Sequence, residues 1–329
     1  MKIWWFLWNF SIKNFLNLRF NVIIYYFFFI RIYILNERKK MITSIFLLLS
    51  LLLSVAFVTL LERSLLRYSQ RRKGPNLVGI YGLLQPFRDG MKLLTKLQPL
   101  WGNSFFIVFS PLVFWLTCLA FWISIRDARI INKTSFLWLL VFRSLGGIMV
   151  FLRGWNGGRT YSVLGGIRAS AQIISYEVVL SFFFLIRLCY ASKFSFKEIK
   201  IRSIFNSFFW RFFFIMPLWL ISILAETNRA PFDLTEGESE LVRGFNTEYS
   251  SSSFTLLFLG EYSIILAFSF ISRIIFFFHW NLVLFFLIFI LWIRSCFPRK
   301  RYDFLIDLIW KEVFPAIIFF LFVDIVILI

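Results

Sequence analysis

Long apolar runs dominate this chain, and a helix needs about 20 such residues to cross the hydrocarbon core of a bilayer. Eight segments meet that requirement, near 41–61, 104–125, 136–152, 163–187, 208–225, 254–271, 274–293 and 305–328. With 60% hydrophobic and only 16% charged residues in 329 positions, a single domain interior cannot hide this much Phe, Ile and Leu from water. The expected class is an all-α integral membrane protein of about eight spans, and a soluble enzyme is excluded.

The formal charge is +19, which in a soluble chain would suggest nucleic acid. Here Lys and Arg gather at the ends of apolar stretches, where they reach headgroups and set topology, and no nucleic-acid-binding motif accompanies them. They are more numerous in the loops after odd-numbered spans, which places those loops on the matrix or cytoplasmic side. Cys118, Cys189 and Cys296 are too far apart in sequence for a chelating motif. The single histidine, His279 in FFFHWN, reads as an interfacial residue, and one histidine cannot supply both axial ligands of a membrane haem. No metal or haem site of its own is expected.

Residues 1–40 form an atypical extension ahead of a membrane domain over 41–329. The run Phe20–Leu35 is apolar but short and carries Arg31, and Trp4, Trp5 and Trp8 resemble interfacial anchors. An interfacial helix or an extra short span is expected, with Met41 as an alternative start.

The loop after the first span reads ERSLLRYSQRRKGPNLVGIYGLLQPFRDGMKLLTK, from Glu62 to Lys96. Its RRKGPN run is a basic patch closed by a Gly-Pro turn, suited to lipid phosphate or an acidic partner face. From Leu83 to Lys96, Leu83, Leu84, Phe87, Met91 and Leu94 share one arc of a helical wheel, with Gln85, Arg88, Asp89, Lys92 and Lys96 opposite. This pattern predicts an in-plane amphipathic helix. Periodicity leaves two roles open: a lipid-surface helix without chemistry, or the wall of a side entrance from lipid to an interior cavity.

After the fifth span comes ETNRAPFDLTEGESELVRGFNTEY. It holds Glu226, Asp233, Glu236, Glu238, Glu240 and Glu248, six of the chain's 17 acidic residues, against only Arg229 and Arg243. If 233–240 is helical, Asp233, Glu236 and Glu240 share a face and can exchange protons as a set. The alternative is a solvated acidic loop, although Pro231, Gly237 and Gly244 argue for a folded segment. Within spans, a charge costs about 2.5–3.5 kcal/mol and calls for a partner or a watery cavity. Arg143, Arg168, Glu177, Glu261 and Asp324 are in that position. Arg168, Gln172 and Ser175 form one polar stripe, with Glu177 on the opposite face beside Ser170 and Ser181. Glu177 and Glu261 are assigned to a proton path in preference to satisfied structural hydrogen bonds. Asp324 is read as snorkelling, and Arg143 has no evident partner.

The blocks ERSLLRYSQRRKGPN, YGLLQPFRDGMKLLTK, GGIRASAQIISYEV, LAETNRAPFDLTEGESELVRGFNTEY and FPRKRYD, in this order, resemble the subunit 1 family of respiratory complex I, the NADH:ubiquinone oxidoreductase. The resemblance covers about residues 41–315. It implies an eight-span subunit at the junction of the peripheral and membrane arms, forming much of the quinone tunnel and the start of a charged path. By this resemblance Glu62, Arg63, Arg72 and Asp89, with Arg294, Arg299 and Arg301, lie along the quinone cavity. Glu226, Asp233, Glu236, Glu238 and Glu240 form an acidic funnel beside it. Glu177, Glu248 and Glu261 continue the path inward, with Arg168 and Arg229 as counter-charges.

The resemblance further implies ubiquinone as substrate, no covalently bound cofactor, and FMN and iron–sulfur clusters only in partner subunits. The implied partners are the hydrogenase-like large subunit of the quinone site, the terminal iron–sulfur-cluster subunit, antiporter-like and other membrane-arm subunits, and lipids. The residues 1–40, Arg88 and Arg143 depart from the family pattern, and Gly90, Gly165 and Gly166 are expected to loosen their helices. Heavy use of Phe, Ile, Tyr, Asn and Lys suits an AT-rich organellar gene, so the mitochondrial inner membrane is expected, with a bacterial plasma membrane as alternative. Two other classes remain for comparison. An ion channel or antiporter would explain buried carboxylates but not the basic and acidic loops on one side, and the anchor of an energy-converting hydrogenase would share the scaffold without necessarily using quinone.

Overall fold

The computed structural model describes residues 40–79, 82–96, 104–130, 135–191, 209–233, 244–246, 248–276 and 281–328, and helices account for most of them. Among these residues there is no strand. The extension assigned to 1–40 lies outside them except for its last residue, and so do His279, Glu236, Glu238 and Glu240. The chain divides into two compact units, residues 1–92 and 93–329.

In the first unit, helix α1 (Lys40–Ser69) carries the first apolar segment and continues through ERSLLRYS, a stretch expected in the loop. Leu, Arg and Tyr propagate a helix well, and Arg71, at φ 57°, lies just beyond its end. The return turn depends on Gly82, at φ 75°, where a Cβ would lie 2.3 Å from the Pro75 carbonyl oxygen. Helix α2 (Gln85–Thr95) follows and contains no buried residue. Its Phe87 ring meets Phe57 of α1 edge-on, with centroids 6.4 Å apart. Leu84, just before it, and Met91 and Leu94 within it are more than half exposed. An amphipathic helix with an open apolar face has the form of one that lies against lipid.

The second unit holds α3 (Ser104–Ile130), α4 (Ser135–Asn156), α5 (Thr160–Ala191), α6 (Phe209–Glu226), a single 3-10 turn (Gly244–Asn246), α7 (Ser251–Phe276) and α8 (Asn281–Cys296). It ends in a continuous helical stretch made of α9 (Tyr302–Asp307), a π turn (Leu308–Val313) and α10 (Phe314–Leu328). Helices thus occupy the described part of every predicted apolar segment. Among the described residues, α1, α3, α4, α5 and α7 are long and apolar enough to cross a bilayer, whereas α6 and α8 contribute the shorter apolar stretches Ile215–Glu226 and Leu282–Cys296. Helix α7 runs through the predicted boundary at 272–273 as far as Phe276.

Helix α5 is the hub: α4, α6, α10 and the 3-10 turn all pack on it, while α7 packs against α3 and α8. Its 32 residues span about 48 Å, well beyond a hydrocarbon core of about 30 Å. Small residues bring helix backbones together, the usual means of helix association in lipid. A Cβ on Gly154 of α4 would lie 2.5 Å from the Gly166 Cα of α5, so Gly166 tightens this contact rather than loosening its helix. A Cβ on Gly260 of α7 would come within 2.4 Å of the Phe114 ring of α3. Buried tryptophans satisfy their N–H groups across helices: Trp122 Nε1 donates to the Ser263 carbonyl at 3.0 Å and Trp219 Nε1 to Ser272 Oγ at 3.0 Å.

Candidate functional site

The second unit contains two Arg–carboxylate pairs whose cations are both buried and both come from α4. Arg143 pairs with Glu226, the last residue of α6, through Nε, while its Nη2 donates to the Glu226 carbonyl at 3.2 Å. Both side chains are buried, at 8% and 0% exposure. Arg153 stands 3.9 Å from the Glu261 carboxylate of α7, with its guanidinium 4.0 Å from the centroid of the Phe114 ring. The two arginines are ten residues apart, which puts them within about 80° of one helix face and about 15 Å apart along α4.

A cavity of about 40 Å³ joins the pairs, lined by Arg143, Arg153, Glu226, Asn228, Arg229 and Glu261 among others. That is room for a few water molecules. Glu226 Oε2 and Asn228 Oδ1 are buried there without a hydrogen-bond partner among the described residues. Buried polar atoms of this kind ordinarily carry water. Arg229 projects over the Tyr262 ring, 4.6 Å from its centroid, and Arg229, Asp233 and Asn246 all bear on Glu261. Glu177, half-buried on α5, is influenced by Glu226 and Arg143 and makes no ion pair among the described residues.

Local structure fixes these positions. The end of α6 is a Schellman motif: Arg229 N–H donates to the Leu224 carbonyl, Asn228 N–H to the Ala225 carbonyl, and Asn228 takes the left-handed conformation at φ 49°. Gln172 of α5, fully buried, donates to the carbonyls of Ala225 at 2.7 Å and Phe232 at 3.1 Å, pinning both ends of the ETNRAPF segment. The Ala230–Pro231 bond in this segment is cis, and Lys300 N–H donates to the Pro231 carbonyl at 2.9 Å. Tyr249, ahead of α7, bonds Ser110 at 3.0 Å and donates to the Arg153 carbonyl at 3.1 Å. Burial raises its phenol above the ordinary value, against the opposing effects of Ser110 and Arg153.

The other predicted residues are distributed as follows. In the first unit, Glu62 is buried on α1, exposed Arg63 pairs with Asp89, which also accepts from Gln85 at 3.0 Å, and exposed Arg72 donates to Gln70 at 2.8 Å. In the second, Arg299 stands 3.4 Å from Asp233 and Arg159 2.8 Å from Glu248. Arg301 contacts its neighbour Asp303 at 3.0 Å, Arg294 is exposed at the end of α8, and Arg168 lies 6.0 Å over the Tyr302 ring. Of the acidic-loop residues, Glu226, Asp233 and Glu248 are described. The sequence singles out Arg143 without showing its partner, and Arg153 and Arg159 fall outside the apolar segments 136–152 and 163–187, where nothing in the sequence marked them. Among the described residues, no group of three or more His, Cys, Asp or Glu could hold a metal ion.

Apolar helices threaded by buried ion pairs define a multi-pass membrane protein whose interior manages charge. The sequence profile of the NADH dehydrogenase family matches residues 42–325. NADH-ubiquinone oxidoreductase chain 1 of Aedes aegypti is 43% identical over 302 residues, covering 86% of this chain and 94% of that protein. The chain 1 proteins of Strongylocentrotus purpuratus and Metridium senile are 40% and 38% identical, covering 82% and 87% of this chain and 89% and 92% of their own. This chain belongs to the NADH dehydrogenase family and is a multi-pass protein of the mitochondrial inner membrane.

Proposed function

We propose that the chain serves as the chain 1 subunit of a proton-pumping NADH-ubiquinone oxidoreductase, lining the path by which quinone reaches its reduction site and carrying the first carboxylates of the proton route. Similarity to relatives bearing that name over most of their length supports the first part. The second part rests on one observation: two Arg–carboxylate pairs with buried arginines share a water-sized cavity at the root of the acidic loop.

Reduction of quinone consumes two electrons and two protons. Electrons come from iron–sulfur clusters held by partner subunits of the peripheral arm, and this chain supplies the amphipathic passage. Glu62, Arg63, Arg72 and Asp89, with Arg294, Arg299 and Arg301, are the residues proposed to face the quinone. Proton demand at the quinone is felt by the acidic set Glu226, Asp233, Glu236, Glu238 and Glu240, which adjusts its protonation. Field changes of that kind pass to Glu177, Glu248 and Glu261, because charges act over longer distances in a low-dielectric interior than in water. Arg168 and Arg229 are the proposed counter-charges.

Neutralising Glu226, Glu236 or Glu240 in the assembled complex tests the coupling. Loss of proton translocation with slowed NADH-dependent quinone reduction is expected. Full reduction with full pumping in all three variants would overturn the reading.

A further inference from the structure

Arg143 and Arg153 stand out because neither belongs to the set assigned to the quinone passage or the carboxylate route, yet each is buried against one of that route's acids. Both cations come from one helix, whereas the carboxylates come from two others, α6 and α7. We propose that α4 acts as a two-point clamp, in which Arg143 and Arg153 are positioning residues that hold Glu226 and Glu261 in place on either side of the cavity and favour their charged forms. This proposal rests on the function proposed above and deepens it.

The geometry supports the clamp in three ways. Arg143 reaches both the side chain and the backbone carbonyl of Glu226, so it fixes the end of α6 as well as its charge. Arg153 is held between the Phe114 ring and Glu261, with its own carbonyl tied to Tyr249. Glu177, by contrast, is half-buried and has no ion pair among the described residues, while the charges acting on it are those of the Arg143–Glu226 pair. A paired cation favours the charged form of a buried carboxylate, and removing it leaves an uncompensated charge that is relieved by taking up a proton. The groups facing the clamped acids are Arg143, Tyr176 and Glu177 around Glu226, and Arg153, Arg229 and Asp233 with Cys118 of α3 around Glu261.

The test is a double-mutant cycle of Arg143→Gln and Glu226→Gln in the assembled complex, read as protons translocated per NADH oxidised. Arg143→Gln is expected to lower this coupling about tenfold alone but less than about twofold in the Glu226→Gln background. Infrared difference spectra of Arg143→Gln should show a protonated carboxyl C=O stretch that is absent from the double variant, and Arg143→Lys should remove most of it. Equal losses from Arg143→Gln in both backgrounds, or no new carboxyl band, would overturn the clamp. If Arg143→Gln does not assemble, assembly of the double variant supports the pairing and equal failure of the double variant refutes it. If Glu226→Gln alone pumps normally, the coupling role of Glu226 fails, while the band in Arg143→Gln still decides the pairing.

Discussion

Replacing Gly260 with Ala should disturb the Arg153–Glu261 pair without touching either residue. The added Cβ would lie 2.4 Å from the Phe114 ring, so the ring must retreat by about 1 Å to reach an ordinary contact. Phe114 is buried and sits under the Arg153 guanidinium at 4.0 Å, so the retreat is passed to the cation. Overpacking of this kind costs about 1–3 kcal/mol. Lengthening the pair from its 3.9 Å by about 1 Å weakens the attraction from about 4 to about 3 kcal/mol at an effective dielectric of 20. The combined loss is about 2–4 kcal/mol, enough to raise the thermal inactivation rate of the complex tenfold or more when the contact is formed late in folding. Combining Gly260→Ala with Phe114→Leu should recover most of the overpacking loss but not the cation–ring attraction of about 0.5–2 kcal/mol. Inactivation rates for Gly260→Ala equal to those of the unaltered complex, or no recovery in the double variant, would refute the chain of contacts.

Asn228→Gly should be tolerated while Asn228→Val loses about 1 kcal/mol or more, because a β-branched residue is strained at φ 49°; limited proteolysis after residue 226 reads the difference. Gln172→Leu leaves the Ala225 and Phe232 carbonyls without their buried donor at about 1–3 kcal/mol each, and amide exchange across 223–233 should accelerate. Arg63→Ala, at a pair that is 51% and 33% exposed, should change stability by less than about 1 kcal/mol and should not impair assembly. The raised phenol of Tyr249 makes a contribution fully present below the unfolded value near pH 10 and lost as pH rises from there towards the folded value. Inactivation measured above pH 10 should therefore steepen less in Tyr249→Phe, although that variant starts lower for want of its hydrogen bonds.

Apolar run length places a helix on each of the eight segments, and the wheel of Leu83–Lys96 separates the faces of α2, because both signals are local. What lay beyond local reasoning is the partner of Arg143, since Glu226 is 83 residues away and which helices adjoin is decided by packing. Arg153 was hidden for another reason: it stands just past the apolar run 136–152, where cations ordinarily face headgroups, yet α4 continues to Asn156 and buries it. The same holds for Gly166, whose meaning depends on Gly154 facing it from the preceding helix. A search for cations at the ends of apolar runs that fall on the face of an earlier intramembrane cation would have found the α4 pair.

Placing the cations on α4 and their acids downstream has a consequence for synthesis. At about 5–20 residues per second, some 4–17 s separate Arg143 from the emergence of Glu226, and Glu261 follows later still. During that interval the nascent third hydrophobic segment carries a guanidinium that lipid does not welcome. Its release from the insertion machinery should therefore await the later segments, making membrane entry a collective event for this part of the polypeptide.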